Sequence, residues 1–178
     1  MESGNQKYPL YCEKFEHDAC GIGAVVSIDG IASHTIVDDA LSIVERLEHR
    51  AGKDATGEVG DGVGLLVQIP HKFFSGLGYP LGNARDYGVG MFFFPRDSLK
   101  RRQAQKLFEV ICSKEGVKFL GWRQVPVNGE ILGKRAYDTM PDIWQCFVAR
   151  ASEIRQGLDF ERKLYVIRRV FEQSSDET

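Results

Sequence analysis

The sequence predicts an α+β fold in which a layered mixed sheet packs against helices, and three observations carry this. Short runs rich in Val, Ile, Phe and Tyr recur along the chain, each bounded by glycine, proline or a turn pair. Other segments place apolar residues three and four apart over several turns, the spacing of amphipathic helices. The strand-like runs follow one another in groups, several without an intervening helix, which disfavours a doubly wound parallel sheet.

The elements can be justified in order. After Cys20, residues 21–28 are rich in Val and Ile and reach Asp29-Gly30, so they read as a strand feeding a tight turn. From Ile36 to Arg50, apolar residues at Ile36, Val37, Ala40, Leu41, Ile43, Val44 and Leu47 predict a helix with a wide buried face, capped by Ser33 or Thr35. Gly52 to Gly64 is glycine-rich and polar, hence loop, and the run from Leu65 to Ile69 reads as a strand stopped by Pro70. Tyr87 to Pro95 is dense in aromatics and is expected to be buried on both faces or to lie at a sheet centre.

Asp97 or Ser98 caps a helix running to Glu115, with Leu99, Leu107, Val110 and Ile111 inward and Gly116 as its stop. Residues 117–127 read as a strand ended by Pro126, which cannot donate to a ladder, and residues 141–150 as another. The last long segment, 159–173, sets Phe160, Leu164, Ile167 and Phe171 on one helical face with basic residues opposite. Phe92 to Phe94, Trp122 and Trp144 read as packing residues.

A chain of 178 residues with 43% hydrophobic composition can bury a core, and one domain is expected. The net charge of -2, with both signs spread along the chain, argues against a nucleic-acid surface or an anionic-membrane anchor. The first twenty residues lack the basic start and apolar run of a secretory signal, and no segment approaches a membrane span, so a cytoplasmic location is expected. Cys12, Cys20, Cys112 and Cys146 show no close pairing pattern and read as reduced thiols.

Four constellations bear on chemistry. Cys20 opens the first predicted strand beside Gly21, a residue small enough to leave the sulfur approachable; an isolated cysteine is more often a structural thiol, and no histidine stands in a local signature for its base. If the chain were cut between Ala19 and Cys20, the new α-amino group, with a reference pKa of about 8, would stand beside a thiol of about 8.5 and supply the base itself. Arg50 ends the predicted helix before the glycine-rich loop; its guanidinium suits a carboxylate fork, as in an amino-acid substrate, or simply the negative end of the helix dipole.

The cluster Gly57, Gly60, Gly62 and Gly64 around Asp61 invites a phosphate-loop reading, but a strand rather than a helix is expected to follow, so a tight turn with close backbone packing is the better account. Cys12, His17 and Cys20 lack a fourth ligand for zinc.

With these residues in view, the run "HDACGIGAVVSIDGIASHTIVDDALSIVERLEHRAGKDATGEVGDGVGLLVQIPHKFF" resembles the opening of the glutaminase domain of glutamate synthase, a class II glutamine amidotransferase. The likeness continues through "LGWRQVPVN", "LGKRAYDTMPDIWQCFV" and "FERKLYVIRR" and covers nearly the whole chain. It implies the N-terminal-nucleophile hydrolase fold, a four-layer αββα sandwich with mainly antiparallel sheets. It also implies that a propeptide, Met1 to Ala19, is removed so that Cys20 becomes the terminal nucleophile, with residues 20–178 as the N-terminal part of the domain.

By the same resemblance Arg50 holds the glutamine α-carboxylate, although Ala51 stands where the family usually has glycine, with Gly52 one position later. The implied reaction passes through a γ-glutamyl thioester to ammonia and glutamate. No cofactor is implied for this part of the enzyme, and the implied partners are glutamine and other glutamate synthase domains or subunits.

The family's oxyanion motif, Asn-Gly within His-Asn-Gly-Glu, and the later acidic residue for the substrate amino group are not found here. Asn128-Gly129-Glu130 lies in a different context and reads as a turn. Loss of one oxyanion donor alone costs about 100- to 1,000-fold in turnover, so the chain by itself is expected to be nearly inactive and to be roughly the first half of a catalytic domain. Two alternatives follow: a non-catalytic regulatory or scaffold domain that keeps the fold, or one chain of a split amidotransferase.

Overall fold

The computed structural model describes residues 20–176, which fall into two compact units divided between Leu66 and Val67. The first unit is built on α1 (His34–Arg46) and a short 3-10 turn, Glu48–Arg50. The helix stops four residues before the predicted end, at Leu47, and the 3-10 turn finishes the segment. Ser33 takes the N-cap position but its side chain makes no capping bond, and Thr35 lies inside the helix.

Among the described residues, 21–27 form no strand ladder, which corrects the strand expected there. The predicted turn does form, with the Gly30 amide donating to the Ser27 carbonyl at 3.2 Å. The segment after the loop, 62–69, likewise forms no strand pairing among the described residues. The physical reason is the same in both places: alternating or continuous apolar residues favour an extended chain, but a strand exists only when another backbone takes up its N–H and C=O groups. Ile22 is accordingly 90% exposed.

The second unit is organised by a three-stranded antiparallel sheet. Its strands are β1 (Tyr87–Phe94), β2 (Lys118–Gln124) and β3 (Asp142–Ala149), in the spatial order β1-β3-β2. Phe147 of β3 stands opposite Val89 of β1 and Gly121 of β2, and Cys146 opposite Gly90 and Trp122. A register shift between Phe119 and Gly121 marks a bulge in β2.

From β1 onward the chain alternates strand and helix, against the grouping expected, because a short helix, α4 (Lys134–Thr139), lies between β2 and β3. Neither α4 nor α2 (His71–Ser75) is long enough to show a helical period in sequence. The sheet is antiparallel all the same, since β3 inserts between β1 and β2 and runs against both.

Two helices cover one face of the sheet. In α3 (Ser98–Lys114) the Asp97 carboxylate caps the first turn, accepting from the amides of Leu99 at 2.8 Å and Lys100 at 3.1 Å. Gly116, at φ +71°, ends the helix as predicted. Its buried stripe is Phe108, Ile111 and Cys112, with Leu107 packed beside it.

Leu99 and Val110 are exposed, not inward: Val110 lies two residues on from Phe108, about 200° around the helix. In α5 (Leu158–Asp176), Phe160 and Ile167 are buried and Leu164 and Phe171 pack against the same core, as predicted. These helices close over Cys146 and Val148 of β3, with Phe92 at the centre of an aromatic cluster 4.9 Å from Phe108, 5.0 Å from Trp122 and 5.4 Å from Phe171.

The opposite face is covered by Phe74 of α2, Tyr79 and Leu81, which pack on Tyr87, Val89, Leu120 and Phe147. β1 is an edge of this sheet, and Phe93 is 66% exposed, so the expected burial on both faces fails there. The sequence concealed the alternation because both phases of the strand are apolar. Arg150 fastens the strand ends: its guanidinium donates to Asp86 Oδ1 at 3.0 and 2.8 Å and to the Ile154 carbonyl at 2.6 Å.

Trp122 and Trp144 pack as predicted, Trp122 in the core with its Nε1 donating to Glu109, and Trp144 beneath the Arg101 guanidinium. Asn128-Gly129-Glu130 is a turn, with the Glu130 amide donating to Asn128 Oδ1 at 3.1 Å. Among the described residues no helix is long and apolar enough to cross a membrane.

Candidate functional site

The first unit holds both residues singled out from sequence. Cys20 is exposed and its thiol is free. The chain that follows it runs along α1 at very close range. A Cβ placed on Gly21 would lie 3.2 Å from the Leu47 methyls, and one on Gly23 would lie 2.4 Å from Ile43 Cγ2. Only glycine admits the second approach without displacement.

Passing from Gly21 to Gly23 the segment moves from Leu47 to Ile43, one helical turn back toward the N-terminus of α1. Cys20 therefore begins this path at the C-terminal end of the helix. That end also carries the 3-10 turn whose last residue is Arg50.

Arg50 is exposed, and its backbone amide donates to the Leu47 carbonyl at 2.9 Å. Ala51, next in sequence, has φ -81° and ψ 132°, an ordinary extended conformation. This position thus needs no glycine-only geometry.

The glycine-rich stretch is a closed loop. Lys53 and Gly60 form an isolated antiparallel bridge, and the Asp54 amide donates to the Val59 carbonyl at 2.8 Å. Inside it the Asp54 carboxylate accepts from the Thr56 hydroxyl at 2.7 Å and from the Thr56 and Val59 amides at 3.1 and 3.4 Å. The Thr56 hydroxyl bond, more than the backbone amides, holds the Asp54 carboxyl below its ordinary pKa.

At the loop's mouth the Gly52 amide donates to Asp61 Oδ2 at 2.8 Å while the Asp61 amide donates to the Gly52 carbonyl at 3.0 Å. Lys53 also donates to Glu48 at 2.6 Å, and this bond lowers the Glu48 carboxyl pKa. No helix opens directly from the loop, as a phosphate loop would need, and the strand expected to follow it does not form either.

The bonds of Asp61 and Lys53 escaped the sequence reading. A lone aspartate within four glycines was the available signal, since a short carboxylate satisfies backbone amides that a tight loop leaves unpaired. Of the three zinc candidates, Cys12 and His17 lie outside the described residues; among those described, no group of three metal-ligating side chains occurs.

Cys112 and Cys146 are free and buried, and burial pushes both thiols up to about 12. Neither is a reactive thiol near neutrality. Cys12 lies outside the described residues.

Comparison with known proteins bears on this geometry. The profile of a family described as "Glutamine amidotransferases class-II" matches residues 20–178. The chain is 42% identical over 162 residues to the glutamate synthase [NADPH] large chain of Bacillus subtilis, an alignment covering 90% of this chain and 11% of that one. It is 42% identical over 163 residues to ferredoxin-dependent glutamate synthase 1, chloroplastic/mitochondrial, of Arabidopsis thaliana, covering 89% and 10%. The glutamate synthase [NADPH] large chain of Azospirillum brasilense is 36% identical over 168 residues, covering 92% and 11%. The chain thus spans about a tenth of the length of the curated relatives it matches.

Proposed function

The chain belongs to the class-II glutamine amidotransferases, and from that membership we propose that it contributes Cys20 as the nucleophile for hydrolysis of the glutamine side-chain amide, completed by a further part of the catalytic domain that carries the oxyanion and amino-group residues. The observation that carries the proposal is the exposed, free Cys20 thiol at the first residue of the matched span, ahead of a segment held against α1 by two glycine contacts.

Removal of residues 1–19 exposes the α-amino group of Cys20. That amine, with a reference pKa of about 8, takes the thiol proton, and the sulfur adds to the amide carbon. The carbon–nitrogen bond then breaks, ammonia leaves with the returned proton, and water hydrolyses the γ-glutamyl thioester to glutamate and free thiol. Arg50 donates two parallel hydrogen bonds to the substrate α-carboxylate, a geometry that a guanidinium fork satisfies and an ammonium does not. Its place at the C-terminal end of α1, where Cys20 begins its path, supports the pairing of the two roles.

The ammonia serves a glutamate synthase system in the cytoplasm, whose other domains or subunits are the partners of this one. Support comes from the relatives, named glutamate synthases and much longer than the region they share with this chain.

Two measurements test the reading. Peptide mass mapping of the chain freed of residues 1–19 and treated with a diazoketone analogue of L-glutamine should find the label on Cys20, and Cys20→Ala should abolish it, together with any ammonia release. Labelling on another residue moves the nucleophile elsewhere. Intact-mass analysis should find that ammonia-releasing material begins at Cys20; activity confined to chains with residues 1–19 attached would sink the self-base mechanism.

A further inference from the structure

Arg50 is exposed and belongs to no buried cluster among the described residues. Its backbone is nevertheless bracketed. On its N-terminal side Glu48, the first residue of the 3-10 turn, is held by Lys53 at 2.6 Å. On its C-terminal side, two residues on, Gly52 is held by Asp61 through a reciprocal pair of bonds at 2.8 and 3.0 Å.

The second fastening depends on unusual closeness. A Cβ on Gly60 would lie 2.8 Å from the Gly52 carbonyl oxygen, a contact with backbone that cannot swing aside. A Cβ on Gly52 would meet Asp61 Oδ2 at 3.3 Å. The loop therefore returns upon the residue after Ala51 with no room for a side chain between. The link from the Gly52 amide to the Asp61 carboxylate is charge-assisted.

We propose that Asp61 is a positioning residue for Arg50: by clamping Gly52 it fixes the backbone on which the guanidinium is presented to the substrate α-carboxylate. Asp61 does not touch substrate. It converts a flexible arginine on a short 3-10 turn into a pre-oriented fork, so the ordering cost is met at folding and not at binding. This rests on the reading of Arg50 given above, and the test separates the two.

The chain freed of residues 1–19 and four variants of it, Asp61→Ala, Asp61→Asn, Arg50→Ala and the double Arg50→Ala/Asp61→Ala, are treated with two reagents, and the rate of Cys20 modification is read by peptide mass mapping. A diazoketone analogue of L-glutamine carries the α-carboxylate; iodoacetamide does not. Asp61→Ala should slow the diazoketone reaction about tenfold, the order expected for a lost charge-assisted bond, and leave the iodoacetamide rate unchanged. Asp61→Asn should recover most of that rate, because its amide oxygen still accepts from Gly52. The double variant should be no slower than Arg50→Ala, since Asp61 acts only through Arg50.

Equal slowing with both reagents, or additive losses in the double variant, overturns the positioning role while leaving the Arg50 reading intact. Diazoketone labelling insensitive to Arg50→Ala overturns the Arg50 reading itself, and the role of Asp61 with it.

Discussion

Phe147→Ala tests the architecture at its most enclosed point. The ring is fully buried at the middle of the central strand, 5.1 Å from Phe74 and 4.6 Å from Tyr79. Truncating a phenylalanine in such a site costs about 3–5 kcal/mol. Its two ring partners, worth about 0.5–1.5 kcal/mol each beyond area, put the expectation at the upper end of that range, about 4–5 kcal/mol.

With a urea m-value of about 2 kcal/mol/M, the unfolding midpoint should fall by about 2 M. The control is Phe93→Ala in the neighbouring strand, the same change at a position 66% exposed, which should shift the midpoint by no more than about 0.5 M. Urea unfolding followed by tryptophan fluorescence reads both, since Trp122 and Trp144 lie in this unit. Equal shifts in the two variants would refute the burial asymmetry across β1 and β3, and with it the placement of α2 and Tyr79 on that face.

Three further expectations follow from particular groups. The Arg150 guanidinium beside Asp86 holds the Asp86 carboxyl below its ordinary pKa. A carboxyl lower in the folded than in the unfolded state stabilises above the unfolded pKa of about 3.9 and loses that contribution as pH falls through the folded value; the stability gap between the parent and Asp86→Asn, measured by thermal melting, should therefore shrink below about pH 4.

Burial raises the Cys112 and Cys146 thiols to about 12, above an unfolded value of about 8.5. Their contribution is full below the unfolded value and is lost between about 8.5 and 12 as the unfolded chain ionises; in a Cys12→Ser background, a disulfide-exchange reagent at pH 8 should titrate Cys20 at once and these two only on unfolding. Gly23→Ala should push residues 20–23 off α1 and slow diazoketone labelling of Cys20, while the added change Ile43→Ala, which removes the obstructing methyl, should restore it.

Much of the second unit was legible because its signals are local. The Asp97 cap, the Gly116 stop and the Phe160, Leu164, Ile167, Phe171 stripe each depend on residues within a few positions of one another. Strand-like composition was also legible at residues 21–28 and 65–69, yet neither forms a strand here. Composition reports what a backbone tolerates, and pairing depends on what lies beside it. The same limit explains β1, where an unbroken aromatic run concealed which side chains face the core and which face solvent.

The candidate site divides the same way. Cys20, Arg50 and the glycine-rich loop were visible as residue types in sequence. The contacts of Gly21 and Gly23 with α1, the ordinary geometry of Ala51, and the return of Asp61 to Gly52 were not. What the sequence by itself determined was family, the Asp97 cap and Gly116 stop of α3, and the apolar stripe of α5, because these follow from short-range patterns and from motifs read in order. Only the tertiary structure decided which apolar segments find partners and which backbone groups clamp Arg50's loop, because both depend on atoms brought within bonding distance by chain reversal, a relation that no local pattern encodes.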